Sequence, residues 1–300
     1  MSTAAGIAHW GLDDPVQEAA LDSALESSVT SALAEDLGGG DQTASLLDAN
    51  LQAQARVIVR EAAVLCGSPW FDAVMHRVDA RIKVHWLATE GAALTSGATV
   101  CQVSGPARGL LTAERTAMNF LQLLSGVATV TRRYVDAVAQ VPGNRAKILD
   151  TRKTIPGLRL AQKYAVRVGG GTNHRLGLYD AILIKENHIA AAGGVAAALR
   201  AALGKSVSVQ IEVESLGQLQ EALGAGARSI LLDNFSAEAM REAVRITAGR
   251  ALLEASGGVT LESVQQIAAT GVDRISIGAL TKDVRATDYS MRVVALSAVR

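Results

Sequence analysis

Aromatic side chains are scarce in this sequence: three Trp, four Tyr and three Phe amount to 3% of 300 residues. So few flat rings leave little from which to build a base-stacking platform for single-stranded nucleic acid. Cysteine is scarcer still. Cys66 and Cys101 stand far apart with no CxxC spacing, which argues against a metal knuckle or a disulfide framework and makes a reducing, cytoplasmic setting the expectation. Charge of one sign is missing too, because 29 Lys plus Arg balance 29 Asp plus Glu. No global basic field exists to hold nucleic acid or an acidic membrane, and neither is an expected partner. Apolar runs break well short of the ~18 residues a membrane span needs. The opening stretch MSTAAGIAHWGLDDP lacks the basic and apolar regions of a leader, so no targeting segment is expected.

What remains is ample core material. Hydrophobic residues reach 49% against 19% charged, with mean hydropathy +0.22, and such a chain folds. At about twice the common domain length it suits one large barrel or two domains.

The balanced charge is unevenly placed. Between Arg145 and His188 stand nine basic and three acidic residues, net +6, leaving 20 basic and 26 acidic elsewhere. A cationic centre in an acidic frame favours an anionic small molecule. For Arg159, Lys163 and Arg167, spaced i, i+4, i+8, a solvated helix face is an equally open reading.

From about Arg145 onward, short aliphatic runs alternate with Ala-rich helical stretches. The spacing predicts strands at 146–149, 181–184, 207–213, 229–232, 251–255 and 274–277, with helices near 190–203, 215–225, 236–247 and 260–270 between the later ones. This βα alternation specifies a parallel sheet, and six or more units favour a barrel. Before it, a helix over 22–37 and short strands at 53–61, 81–87 and 99–104 read as a small α+β domain. A long helix over 110–139 follows, with Ser125 and Gly126 as an expected break or kink.

Parallel α/β folds bind ligands beyond the carboxyl ends of their strands. In order, those ends carry Thr151, Arg152 and Lys153; Lys185; Glu212 and Glu214; Asp233; Ser256, Gly257 and Gly258; and Ile277, Gly278 and Ala279, while a glycine-rich loop brings His174 and Arg175. Arg152, Lys153, Arg175 and Lys185 suit carboxylates or phosphates. Strand period two puts Glu212 and Glu214 on one face, with Glu214 nearer the mouth. Glu214 and Asp233 would hold Mg²⁺, directly or through water, or accept from sugar hydroxyls, or else neutralise the cations as plain ion pairs. The small-residue turns at 256–258 and 277–279 expose amides that suit a phosphate. An alternative makes Lys185 a Schiff-base nucleophile, and another makes the chain a non-catalytic sugar-phosphate binder.

The runs ERTAMNFLQLLSGVATVTRRYVDAV (114–138), LDTRKTIPGLR (149–159), KYAVRVGGGTNHRLGLYDAILIKENHI (163–189), IEVES (211–215), LLDNFS (231–236), LEASGGV (253–259) and SIGALT (276–281) resemble the quinolinate phosphoribosyltransferase family, carboxylating nicotinate-nucleotide pyrophosphorylases of NAD synthesis. The resemblance implies an N-terminal α+β sandwich over 1–125, joined by 287–300, followed by an incomplete seven-stranded α/β barrel over 126–286. It also implies a Mg²⁺-dependent homodimer or larger assembly acting on quinolinate and phosphoribosyl pyrophosphate. Carried onto this sequence, Arg152, His174, Arg175 and Lys185 would surround the quinolinate carboxylates and Lys153 would lie between the substrates. Glu214 and Asp233 would face ribose and metal, the turns 256–258 and 277–279 would hold the 5-phosphate, and Arg115 would enter from a partner subunit.

Overall fold

A computed structural model describes Trp10 and residues 15–298; the opening stretch read for a leader lies largely outside the described residues. Along the chain come α1 (Pro15–Leu37), β1 (Leu51–Val59), β2 (Ala63–Val64), α2 (Ser68–Val78), β3 (Lys83–Trp86), β4 (Ala93–Leu94), β5 (Thr99–Pro106), α3 (Ala107–Ala139), β6 (Lys147–Leu149), α4 (Arg159–Val168) and β7 (Ala181–Ile184). Then follow α5 (Glu186–Ala192), α6 (Val195–Ala201), β8 (Ser208–Val213), α7 (Leu216–Gly224), β9 (Ser229–Asp233), α8 (Ala237–Thr247), β10 (Leu252–Ser256), α9 (Val264–Ala268), β11 (Arg274–Ser276), α10 (Ala279–Lys282) and β12 (Tyr289–Ala298). Two compact units result: Met1–Thr129 with Ile155–Gly169 and Val284–Arg300, and Val130–Thr154 with Gly170–Asp283. None of the helices is long and apolar enough to cross a membrane among the described residues.

The first unit is built on an antiparallel sheet in the order β12-β1-β5-β3. Alternation in β1 buries Ala53, Ala55, Val57 and Val59 on one face. In α1, Leu21, Leu25, Val29 and Leu33 recur every fourth residue and form its buried stripe. Glu90 joins the elements. Its carboxylate accepts from the amides of Gly67 and Ser68 at the start of α2, at 2.7 and 3.2 Å, and from the Tyr164 hydroxyl of α4 at 3.0 Å. Tyr164 packs in turn against Trp10 and Trp70, with ring centroids 5.0 and 5.6 Å away.

Two expectations are corrected in this unit. The solvated-face reading of Arg159, Lys163 and Arg167 fails, because α4 buries six consecutive residues and Lys163 is only 1% exposed. The expected break at Ser125 and Gly126 does not occur: α3 runs unbroken for 33 residues. Both small residues serve packing instead. A Cβ at Gly126 would meet the Arg285 carbonyl oxygen at 2.2 Å, and the Ser125 hydroxyl donates to the Cys66 carbonyl and accepts from the Cys66 amide and the Tyr289 hydroxyl, each at 3.0 Å.

The second unit holds six parallel strands in the order β6-β11-β10-β9-β8-β7. Consecutive strands are neighbours except that β6 and β7 stand at opposite edges, so this is an incomplete barrel, as expected. The strand count differs from the expected seven. The seventh position is a single bridge from Leu149 to Thr172. It goes no further because the next amide but one, that of His174, donates to the Asp150 carboxylate at 2.9 Å rather than to a strand carbonyl. The helix expected over 190–203 is two helices, parted by Gly193 and Gly194 with φ of 85° and 129°. One sheet face is aliphatic, with Ile184, Ile211, Val213, Ile230, Leu232, Ala255 and Ile275 buried. The other carries Gln210, Glu212, Asp233 and Glu254.

In the first unit, burial holds the Asp72 carboxyl at about 6, against the lowering effect of the Trp86 indole N–H that donates to it at 3.0 Å. A carboxyl raised in the fold contributes stability that is full below about 4 and lost as pH rises through about 6. Asp72→Asn keeps an acceptor for Trp86 and removes the charge. It is expected to stabilise the protein by on the order of 1–3 kcal/mol at pH 8 and to change little at pH 4, as thermal melts at both pH values would show.

Candidate active site

The strand ends of the second unit bring most of the predicted residues together. After β6, the Lys153 amide donates to the Thr151 hydroxyl at 3.0 Å, and the Lys153 carbonyl accepts from the buried Thr281 hydroxyl at 2.8 Å. This seats the lysine against the β11 turn, where a Cβ on Gly278 would come within 3.0 Å of Lys153 Cδ. Gly278 is thus needed for close approach.

Arg152 acts electrostatically on Arg175. Burial, then repulsion from Arg152, lowers the Arg175 guanidinium below its ordinary range, and Asp180 only partly offsets this. Arg175 Nη1 donates to the Ala181 carbonyl at 3.0 Å. The loop behind it is fastened by Asp180, whose carboxylate accepts from the amides of Leu176 and Gly177 at 2.7 and 2.9 Å. Asp150, fully buried, accepts from the Asn173 side-chain amide at 2.5 Å and from the His174 amide. Arg152 and Arg175, the latter on a loop tied by Asp150 and Asp180, suit an anion with more than one acidic group.

Lys185 Nζ stands 3.1 Å from Glu212 Oε2. Burial holds the Glu212 carboxyl above its ordinary range; Lys185 pulls it down, while Asp233 and Glu186 push it up. Glu212, rather than the expected Glu214, therefore meets the cationic group. The reason is local. Strand β8 ends at Val213, Ser215 caps α7 by accepting from the Gln218 amide at 3.2 Å, and the Glu214 amide donates to Gln218 Oε1 at 2.7 Å, leaving Glu214 exposed beyond the strand. The Schiff-base alternative loses its basis, since Lys185 is ion-paired and 44% exposed rather than desolvated.

Asp233 ends β9, and the next residue, Asn234, takes a left-handed φ of 55°. Its side chain donates to Asp233 Oδ2 at 2.9 Å and its amide to the Ser256 carbonyl at 2.9 Å. The ends of β9 and β10 are thereby tied. Arg115 is an exposed residue of α3 in the first unit, which also holds Arg159, Lys163 and Arg167.

Family models described as the N-terminal and C-terminal domains of quinolinate phosphoribosyl transferase match residues 41–125 and 127–292. The chain belongs to the quinolinate phosphoribosyl transferase family. It is similar to the nicotinate-nucleotide pyrophosphorylase (carboxylating) of Mycobacterium leprae, 45% identical over 277 residues that cover 89% of this chain and 96% of that protein. It is 40% identical to the probable enzyme of that name from Bacillus subtilis, over 86% of this chain and 90% of the relative. The solved nicotinate-nucleotide pyrophosphorylase of Francisella tularensis superposes with a TM-score of 0.86 at 44% identity, over 91% of this chain and 97% of that one.

For this member of the quinolinate phosphoribosyl transferase family, sequence reasoning passed over Asp150, Gln210 and Glu254 in weighing the site and favoured Glu214 over Glu212. The available signal was a polar residue inside an otherwise aliphatic strand, since buried polar groups require partners. Among the described residues no group of three His, Cys, Asp or Glu could hold a metal by itself. Glu212 and Asp233, hard oxygen donors on adjacent strands with Asp233 near enough to raise the Glu212 carboxyl, suit Mg²⁺ that keeps much of its coordination for water and substrate phosphates.

Gly257 closes the site on the β10 side. It has φ of 103°, and a Cβ there would lie 2.1 Å from Asn234 Oδ1. Gly257→Ala is expected to cost about 1–3 kcal/mol in a denaturant melt and to impair phosphoribosyl pyrophosphate binding more than quinolinate binding, as calorimetry with each substrate would show.

Proposed function

We propose that the protein transfers the phosphoribosyl group of phosphoribosyl pyrophosphate to quinolinate, giving nicotinate mononucleotide, diphosphate and CO₂ for NAD synthesis. The observation that carries this reading is the placement of Thr151, Arg152 and Lys153 after β6 and of Lys185 after β7, with Lys185 3.1 Å from Glu212, at the carboxyl ends of one parallel sheet, where their charge suits carboxylates and phosphates through charge-assisted hydrogen bonds. The activity named for the relatives from M. leprae and B. subtilis supports it.

In this reading Arg152, Arg175 and Lys185 bind the quinolinate carboxylates, with His174 beside them, and aim the pyridine nitrogen at the anomeric carbon. Backbone amides of Ser256, Gly257 and Gly258 and of Ile277, Gly278 and Ala279 hold the 5-phosphate. The nitrogen attacks as the bond from carbon to diphosphate breaks. Positive charge then builds on the ribosyl group, where Glu212 and Asp233 stabilise it, while Lys153 meets the negative charge growing on the leaving diphosphate. The positive charge of the pyridinium so formed stabilises the electron pair left on the ring carbon when the 2-carboxylate departs as CO₂, and that carbon then takes a proton from water. Mg²⁺, held by Asp233 with Glu212 in the role first expected of Glu214, would neutralise diphosphate charge. The protein works in the cytoplasm as a homodimer or larger homo-oligomer in which Arg115 completes the neighbouring subunit's site.

Quinolinate with phosphoribosyl pyrophosphate is expected to yield CO₂ and diphosphate in equal amounts, whereas nicotinate, lacking the 2-carboxylate, releases no CO₂. Lys153→Ala is expected to lower turnover by roughly 10²-fold or more at unchanged melting temperature; undiminished turnover would contradict its role. Mixed Arg115→Ala and Lys153→Ala subunits should recover activity that neither has alone, since hybrids carry one complete site. Absence of recovery under demonstrated subunit exchange would refute the shared site.

A further inference from the structure

Inside the incomplete barrel lies a polar chain that the proposed reaction does not use. Glu254 of β10 is 1% exposed and Gln210 of β8 is 7% exposed. The two strands are separated by β9, yet Gln210 Nε2 reaches Glu254 Oε2 at 2.9 Å. On its other side, Gln210 Oε1 stands 3.0 Å from His174 Nε2. Finally, the Arg175 amide donates to His174 Nδ1 at 2.8 Å.

The direction of this chain follows from its end. The Gln210 amide group donates to the Glu254 carboxyl oxygen, which leaves the Gln210 carbonyl, an acceptor only, facing the imidazole. His174 Nε2 then carries the hydrogen, and Nδ1 keeps the lone pair that receives the Arg175 amide. Glu254 Oε1 has no hydrogen-bond partner among the described residues and lies 3.6 Å from His174 Nε2, which adds to the field favouring a hydrogen there. Burying a carboxylate so deeply is costly unless it is matched, and here it is spent against the imidazole that adjoins Arg175.

We infer that Gln210 and Glu254 are positioning residues: they fix His174 as the Nε2–H tautomer and, through its Nδ1, seat the main chain of Arg175 for a bound dicarboxylate. The inference rests on the proposed quinolinate activity for its ligand alone. Groups that hold a functional histidine through its far nitrogen fix both its tautomer and its ring orientation.

Nitrogen-15 NMR of histidine-labelled protein, without substrate, tests the tautomer. With the signal assigned by its loss in His174→Ala, Nδ1 should appear unprotonated and Nε2 protonated. In Gln210→Met, and in the isosteric Glu254→Gln should the first not fold, the two nitrogens should move toward averaged positions. The KM for quinolinate should rise roughly tenfold, with kcat and the KM for phosphoribosyl pyrophosphate near their original values. In a His174→Ala background Gln210→Met should add nothing, because its effect passes through the imidazole. A protonated Nδ1 in the unaltered protein, or independent effects in the double variant, would overturn the inference. If the unaltered protein releases no CO₂ from quinolinate, the proposed reaction fails, while the NMR signature still decides the tautomer.

Discussion

Like charges held by a protein drift apart unless the chain beneath them cannot yield. Arg152 follows a strand of three residues and Arg175 a loop tied by Asp150 and Asp180, each of which accepts two hydrogen bonds from nearby amide groups. These fastenings hold the loop that carries Arg175, whose guanidinium is lowered below its ordinary range by burial first and by Arg152 second. A site prepared in this way has its reorganisation completed before the ligand arrives, which is why preorganised charge is effective in binding and in catalysis. The aliphatic face of the second-unit sheet supplies the rigidity, and the opposite face presents the charges.

That opposite face is an expensive one. Gln210, Glu212 and Glu254 occupy strand positions where aliphatic residues would pack without desolvation cost. Each is matched instead: Glu212 by Lys185, Glu254 by Gln210, and Gln210 by His174. Buried polar chains add little net stability, and their value lies in the single arrangement they impose. The positive φ at Asn234 and the close approach at Gly257 belong to the same pattern, backbone strain confined to the strand ends where ligands bind.

The first unit relies on different means. Glu90 gathers the start of α2 and the hydroxyl of α4, and a cluster of Trp10, Trp70 and Tyr164 packs around that hydroxyl group's ring. Lys163 of α4 is buried in this unit. A third of the sequence's apparent cationic stretch, Arg159, Lys163 and Arg167, therefore lies outside the unit that carries the strand-end residues. Segment 155–169 leaves the run of βα units to join the N-terminal residues, and a linear count of charge has no means of registering that excursion.

By itself the sequence determined the alternation of strand and helix, the parallel sheet and the residues at nearly every strand end, because period-two burial, helix periodicity and glycine turns are local properties, while the incomplete barrel was implied by the family resemblance of its motifs. The motifs around Arg152, His174, Arg175 and Lys185 were legible for the same reason. Tertiary structure alone decided that Glu212 rather than Glu214 meets Lys185, that Gln210 bridges to Glu254 across an intervening strand, that the seventh strand shrinks to one bridge at Thr172, and that Ser125 and Gly126 pack rather than break α3. Each of those outcomes depends on which residues from distant parts of the chain come within hydrogen-bond or van der Waals range, and such distances are set only when the whole sheet has closed to its final register.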